Sequence, residues 1–396
     1  MPTLSPTMTP VVVTLAPTDS PVPPTLVPTP NPVPATAAPA TTRPTRSPSP
    51  TPTTRPTAAP TSAPTPVPPT LGELVGQKLV IRMEGTTPSA DLLARIRRGE
   101  IGGVILFGMN ITTPEALIAL TKALQQAATD GGRPPLLIAT DQEGGAINRV
   151  TWAPPTMSAP EVGATGSVAT ASAQGAAAGS ALRALGINVD LAPVADVPAS
   201  ASSFMYVQGR TFSFDATLTS TLSNAFAAGL ESKGVAPTMK HFPGIGFALE
   251  NTDSNVVTID ASAALLVPGM QPYRAAIKNG IPIVMLSNAT YTGFDPANAA
   301  GWSAAIGEAL LRKELGFRGV TITDSLTGNA VIRGIPQDEL AVRAAIAGTD
   351  MLLVSGSEAS TRTVYATLLA TATAGMLSRA SLDASYARIL ALKSGF

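Results

Sequence analysis

Residues 303–326 read SAAIGEALLRKELGFRGVTITDSL. The first part spaces its apolar residues as a helix does and runs to Gly316. The second part, GVTITD (319–324), is short, β-branched and apolar until Asp324. It predicts a strand buried on both faces that breaks off in Asp324-Ser325. A helix feeding such a strand is half of the repeating unit of a parallel α/β sheet.

The same alternation runs along the chain from Gly76 onward. Further strand candidates are KLVIRM (78–83), GGVILFG (102–108), LLIATD (136–141), INVDLAPV (187–194), APTMKHF (236–242), IPIVMLSN (281–288) and MLLVSG (351–356). Between them lie helix candidates such as TPEALIALTKALQQAATDGG (113–132), with Thr113 as cap and glycines as stop, and LTSTLSNAFAAGLESKG (218–234). Eight such strands with intervening helices predict a single (β/α)8 TIM-type barrel. A doubly wound open sheet is the rival, but no Gly-x-Gly-x-x-Gly follows the first strand. The last segment, LSRASLDASYARILALKSGF, reads as an amphipathic helix that packs Ile389, Leu390 and Leu392 on the barrel.

Polar residues collect where strands end, which in a barrel is where chemistry sits. Strand three ends in Asp141-Gln142-Glu143-Gly144-Gly145, strand five in Lys240-His241 and strand seven in Asp324-Ser325. Charged groups are costly to bury unless paired or used, so three such endings predict one polar pocket at the C-terminal rim.

Residues 1–70 are of another kind, mostly Pro, Thr, Ala, Ser and Val. Proline this dense blocks helix and removes backbone donors, and there is little large apolar surface to offset ordering entropy. This predicts a disordered Pro/Thr-rich stalk or linker over 1–70 and one folded body over 71–396. Its composition suggests an extracellular or cell-surface protein, although the N-terminus has no visible signal peptide.

The 396 residues carry zero formal net charge, and the folded part has no basic block, which argues against nucleic acid as a partner. No run of 18 apolar residues occurs, so no membrane span is expected. Without cysteine there are no disulfides or thiolate metal sites, and no clustered ligands or phosphate loop suggest a metal or cofactor.

The strings DQEGG (141–145), GINVDLAPVADV (186–197), GRTF (209–212), KHFPG (240–244), LLRKELGFRGVTITDSL (310–326) and AGTDMLLV (347–354) resemble family 3 of the glycoside hydrolases. The similarity is greatest to its single-domain β-N-acetylhexosaminidases and extends from Leu71 to the end. It implies removal of a terminal β-linked N-acetylglucosamine from a carbohydrate substrate, with retention, through a covalent glycosyl-enzyme. Asp324 matches the family nucleophile. Asp141, Arg149, Arg210, Lys240 and His241 match sugar-binding positions. One departure is Ala146, which stands where the family usually has an arginine.

A larger departure lies in KHFPGIGFALENTDSN (240–255), which contains His241, the sole histidine. The resembled proteins carry a loop histidine as acid/base after an Asp-Ser pair; here Asp253-Ser254 leads to Asn255, and Ile245 replaces a second histidine. An asparagine amide does not titrate in the useful range. General acid assistance contributes about 10²–10⁴-fold, or roughly 3–5 kcal/mol of barrier. Two carboxylic acids on the same loop, Asp253 and Glu250, are the candidate replacements, since burial against apolar neighbours raises a carboxyl toward neutrality. The rival readings are an impaired homologue that serves as a surface amino-sugar-binding module, and a variant that transfers the sugar to an acceptor other than water.

Overall fold

The computed structural model describes residues 68–396. The stalk expected over 1–70 therefore lies outside the described residues except for its last three. Thr70 caps the helix Leu71–Gln77: its side chain accepts from Glu73 N, and the Glu73 carboxylate accepts from Thr70 N at 2.7 Å. This reciprocal pair satisfies two otherwise orphaned donors at the start of the fold.

Eight short strands follow: β1 (Leu79–Arg82), β2 (Gly103–Ile105), β3 (Leu137–Thr140), β4 (Val189–Asp190), β5 (Ala236–Phe242), β6 (Ile283–Leu286), β7 (Val320–Thr323) and β8 (Leu352–Val354). They pair in parallel in the order β7-β6-β5-β4-β3-β2-β1-β8. A bridge between Ile322 and Met351 brings β7 against β8, so the sheet is a nearly closed eight-stranded barrel. The expected α/β barrel is thus the observed architecture.

Side chains alternate across each strand. Val80, Ile105, Leu137, Val189, Ile283, Ile322 and Leu353 point inward and pack into one interior cluster. Ile81, Val104 and Ile138 point outward and pack with the surrounding helices. Covering both faces is what the almost uninterrupted apolar strands require.

The fourth strand is shorter than its sequence suggests. Pro193 has no N–H to donate to a ladder, and regular pairing stops at Asp190. Backbone bonds to β5 nevertheless continue past it, with Thr238 N donating to Ala192 O at 2.8 Å and Val194 bridging to Lys240. After β3 the chain forms a small antiparallel ribbon, Gln142–Gly144 against Ile147–Asn148.

The C-terminal helix, Arg379–Lys393, closes the N-terminal end of the barrel. Ile389 is fully buried in the interior cluster, with Leu392 and Phe396 packed against it. Leu390 is only partly buried and does not belong to that cluster, contrary to expectation. A 3.6-residue period puts 389, 392 and 393 on one face and turns 390 away.

Lys393 shares that face and is buried, its Nζ donating to Gln77 Oε1 (2.6 Å) and Gly102 O (2.8 Å). Neither partner is a carboxylate, and burial lowers the ammonium to about 7. Unfolded, this lysine titrates at about 10.4, so between those values the unfolded chain binds the extra proton. Stability should therefore rise with pH from about 7 to about 10, by up to about 1.4 kcal/mol per unit from this group. Thermal unfolding of the wild type and of Lys393→Met checks this, with a flatter rise expected in the variant. Parallel pH profiles would show that Lys393 is charged in the fold.

Candidate active site

The site is built at the C-terminal ends of the strands. β3 delivers Asp141 and, through the ribbon that follows, Glu143 and Arg149. The loop after β4 supplies Asp196, the short helix Phe204–Val207 and Arg210. β5 itself carries Lys240 and His241, its following loop contributes Asn251–Asp253, and β7 ends in Asp324. Asp324, Asp253, Asp141, Arg149, Arg210, Lys240 and His241 all line one cavity of ≈ 250 Å³. Its floor is apolar, formed by Ile105, Leu191, Met285 and Leu353 from the barrel interior.

Lys240 is the electrostatic hub. Its Nζ lies 2.9 Å from Asp141 Oδ1 and 2.6 Å from Glu143 Oε1. Arg210 grips the same Glu143 with two parallel bonds, Nε to Oε2 at 2.8 Å and Nη2 to Oε1 at 2.6 Å. Burial pushes the Glu143 carboxyl up, but Lys240 and Arg210 outweigh it and hold the group at about 2. Burial likewise lowers Lys240, while Asp141 and Glu143 more than compensate and raise it. Arg149 approaches the other oxygen of Asp141 at 3.8 Å, and its guanidinium lies 5.9 Å from the centre of the Phe107 ring.

Asp196 fixes the orientation of His241. The His241 Nδ1 is 2.8 Å from Asp196 Oδ2, while Asp196 Oδ1 accepts from Ile245 N at 2.8 Å. With the carboxylate accepting, Nδ1 carries the proton and Nε2 is left for a ligand. Asp190 lies beneath, fully buried, with Oδ1 accepting from Gln142 N at 2.9 Å. Its Oδ2 has no partner, and burial pushes this carboxyl well above its ordinary value.

Asp324 accepts a bond from the Ser325 backbone N–H at 2.7 Å and is otherwise open to the cavity. Asp253 faces it from the rim. Repulsion from the Asp324 carboxylate, with a smaller part from lost water, pushes Asp253 up to about 7. His241, Arg210 and a long contact from Asn288 Nδ2 (3.5 Å) pull the other way. The Asp253 residue as a whole is exposed to solvent, so the neighbouring charge rather than burial is the dominant cause.

Glu250 is placed differently. It is exposed and belongs to a separate groove with Phe247, Leu249 and Val256, away from the cavity lining. Asn255 does not line the cavity either: its Nδ2 turns back to Asn251 O at 3.3 Å. Glu143, Asp190 and Asp196 were given no role from sequence. All three stand within the strings DQEGG and GINVDLAPVADV, and the usable signal is an acid next to a strand end.

Residues 70–392 match the glycosyl hydrolase family 3 N terminal domain. The chain belongs to glycoside hydrolase family 3. It is a glycosidase acting on O-glycosyl bonds. An uncharacterized secreted glycosyl hydrolase of Arthroderma benhamiae is 35% identical over 325 residues, covering 81% of this chain and 92% of the relative. Among solved structures, a β-N-acetylhexosaminidase from Beutenbergia cavernae superposes with a TM-score of 0.76 at 34% identity, covering 83% of this chain and 99% of its own. A family 3 β-N-acetylglucosaminidase from Paenibacillus sp. superposes with a TM-score of 0.78 at 34% identity over 83% of this chain. This chain spans only 63% of that longer protein.

Proposed function

We propose that the protein is a retaining, exo-acting β-N-acetylhexosaminidase that releases terminal β-linked N-acetylglucosamine, with Asp324 as nucleophile and Asp253 as acid/base. One observation carries the reading: a carboxyl raised to about 7 stands across the cavity from a carboxylate that causes the rise. Environments that push two carboxyls apart in acidity assign one to donate a proton and the other to attack.

In the first step Asp324 bonds to the anomeric carbon as the glycosidic bond breaks, and Asp253 gives its proton to the departing oxygen. Forming the ester removes the negative charge of Asp324. The repulsion that held the Asp253 proton then disappears, so Asp253 becomes a stronger acid and, having given its proton to the leaving group, stands as the carboxylate that takes a proton from the attacking water. That water attacks the same carbon, the ester breaks, Asp324 is restored as a carboxylate and the sugar leaves with its original configuration. Asp141, Lys240, His241 and Arg149 would meet the sugar's hydroxyl and acetamido groups. Arg210 acts mainly through Glu143, which keeps Lys240 in place.

The substrate class follows the printed activities of the Beutenbergia and Paenibacillus proteins, and the cavity volume suits a single terminal sugar. A location outside the cell follows the secreted Arthroderma relative and the Pro/Thr-rich composition of residues 1–70.

The test offers a β-linked N-acetylglucosamine disaccharide and, in parallel, a phenyl glycoside with a very good leaving group. Cleavage of both with retained anomeric configuration, followed by proton NMR, is expected. Cleavage of the activated compound alone would mean that no side chain donates the proton. Sugar binding without any cleavage would make the chain a carbohydrate-binding module.

A further inference from the structure

The loop that carries Asp253 is tied down at both ends. Its first half rests on the loop after β4, where Gly246 O accepts from Ala199 N (2.9 Å) and Ser203 Oγ (2.6 Å), and Ala248 O accepts from Phe204 N (2.8 Å). Its second half rests on the helix Leu326–Arg333, the element that begins directly after Asp324. There Asn329, fully buried, donates from Nδ2 to Thr252 O at 2.7 Å. At Gly328 the helix backbone passes so close that any Cβ would collide with the carbonyl oxygen of Asp253.

The amide of Asn329 has no freedom to turn. Its Oδ1 accepts from Arg333 Nε at 3.2 Å, and the Arg333 guanidinium is itself held over the Trp302 ring at 5.1 Å from the centroid. Arg333 also reaches Asn288 O at 3.4 Å, and Asn288 Nδ2 donates to Ser325 O at 2.9 Å beside its longer contact with Asp253. A buried amide is retained only where its bonds are made; here the Nδ2 bond of Asn329 reaches the loop, and its Oδ1 bond holds the amide within the helix that follows the nucleophile.

We propose that the helix Leu326–Arg333 is a dock that sets the working separation of Asp253 and Asp324, with Gly328 and Asn329 as its positioning residues. The inference rests on the assignment of those two carboxyls above. It adds that the acid/base is positioned not by its own exposed loop but by the helix that follows the nucleophile. Both carboxyls then move as one body, and the pair keeps its geometry although Phe247, Leu249 and Glu250 of the same loop lie in solvent. Small errors in such positioning are costly, since a misplacement of about 1 Å can lose about 100-fold.

Gly328→Ala and Asn329→Ala test the dock in the full-length enzyme. Each is expected to lower the ratio of disaccharide to activated-phenyl-glycoside turnover by about 10–100-fold. Each should also move the alkaline limb of kcat/KM to lower pH, because an Asp253 farther from Asp324 feels less repulsion. If Gly328→Ala does not fold, Asn329→Ala decides by the same two readouts. A proportional loss on both substrates with an unmoved limb would overturn the dock, because that is what a purely structural role gives. Asp253→Ala serves as the control: an unchanged ratio in that variant would sink the acid/base assignment and this inference with it, whereas a fallen ratio there but not in the dock variants would sink the dock alone.

Discussion

Replacing Asp324 with alanine is expected to abolish hydrolysis of disaccharide and activated substrate alike, by on the order of 10⁴–10⁶-fold, as loss of a nucleophile does elsewhere. The loss should fall on kcat, because the sugar's other contacts, to Asp141, Arg149, Lys240 and His241, remain. The fold should persist, since the only bond the Asp324 carboxylate makes among the described residues is to the neighbouring Ser325 N–H. Calorimetric titration with N-acetylglucosamine would then show binding without turnover. Residual hydrolysis within tenfold of wild type would remove Asp324 from the role of nucleophile.

Asp253→Ala should separate substrates by leaving group. For the disaccharide, whose departing oxygen needs a proton, a loss of about 10²–10⁴-fold is expected. For a good phenol leaving group the first step should survive and the second, which needs a base, should become limiting. Azide requires no deprotonation, so adding it should speed turnover of the activated substrate and give a glycosyl azide of retained configuration. The pH profile adds an independent sign. The wild-type acid must be protonated, and its carboxyl is raised to about 7, so kcat/KM should fall as pH rises through about 7. That limb should be absent in Asp253→Ala. A limb that stays in place would assign it to another group.

The barrel was legible because its strands are apolar on both faces, and only fully covered parallel strands require that. Strand ends were less so. The regular ladder of β4 ends at Asp190, after which backbone bonds to its neighbours continue irregularly around Pro193, and the ribbon after β3 comes from residues whose glycines also suit a simple turn. The charged endings of β3, β5 and β7 pointed to the cavity, since each names a residue that would be costly inside a barrel without a partner. What the chain order hid was which acid serves which cation. Glu143, rather than a ligand group, is the main partner of Arg210, and Asp196 orients His241.

The loop acids show the limit most sharply. Asp253 and Glu250 are three positions apart, and sequence spacing in an irregular loop does not say which faces inward. The helix Leu326–Arg333 bears on it, with Asn329 holding Thr252 O at 2.7 Å, and within the loop Asn251 Oδ1 accepts from Asp253 N at 2.9 Å. Those contacts turn Asp253 over the cavity and leave Glu250 in solvent. The Asn329–Thr252 bond joins residues far apart in the chain, so no local pattern announces it.

The most direct measurement is to trap the intermediate. An N-acetylglucosaminyl donor with a good leaving group, slowed by a fluorine on the sugar ring, should accumulate one sugar on the protein, and peptide mass spectrometry should find it on the fragment ending β7 with the ester at Asp324. A label on any other side chain, or rapid turnover to a product of inverted configuration, would contradict a double displacement at this carboxylate.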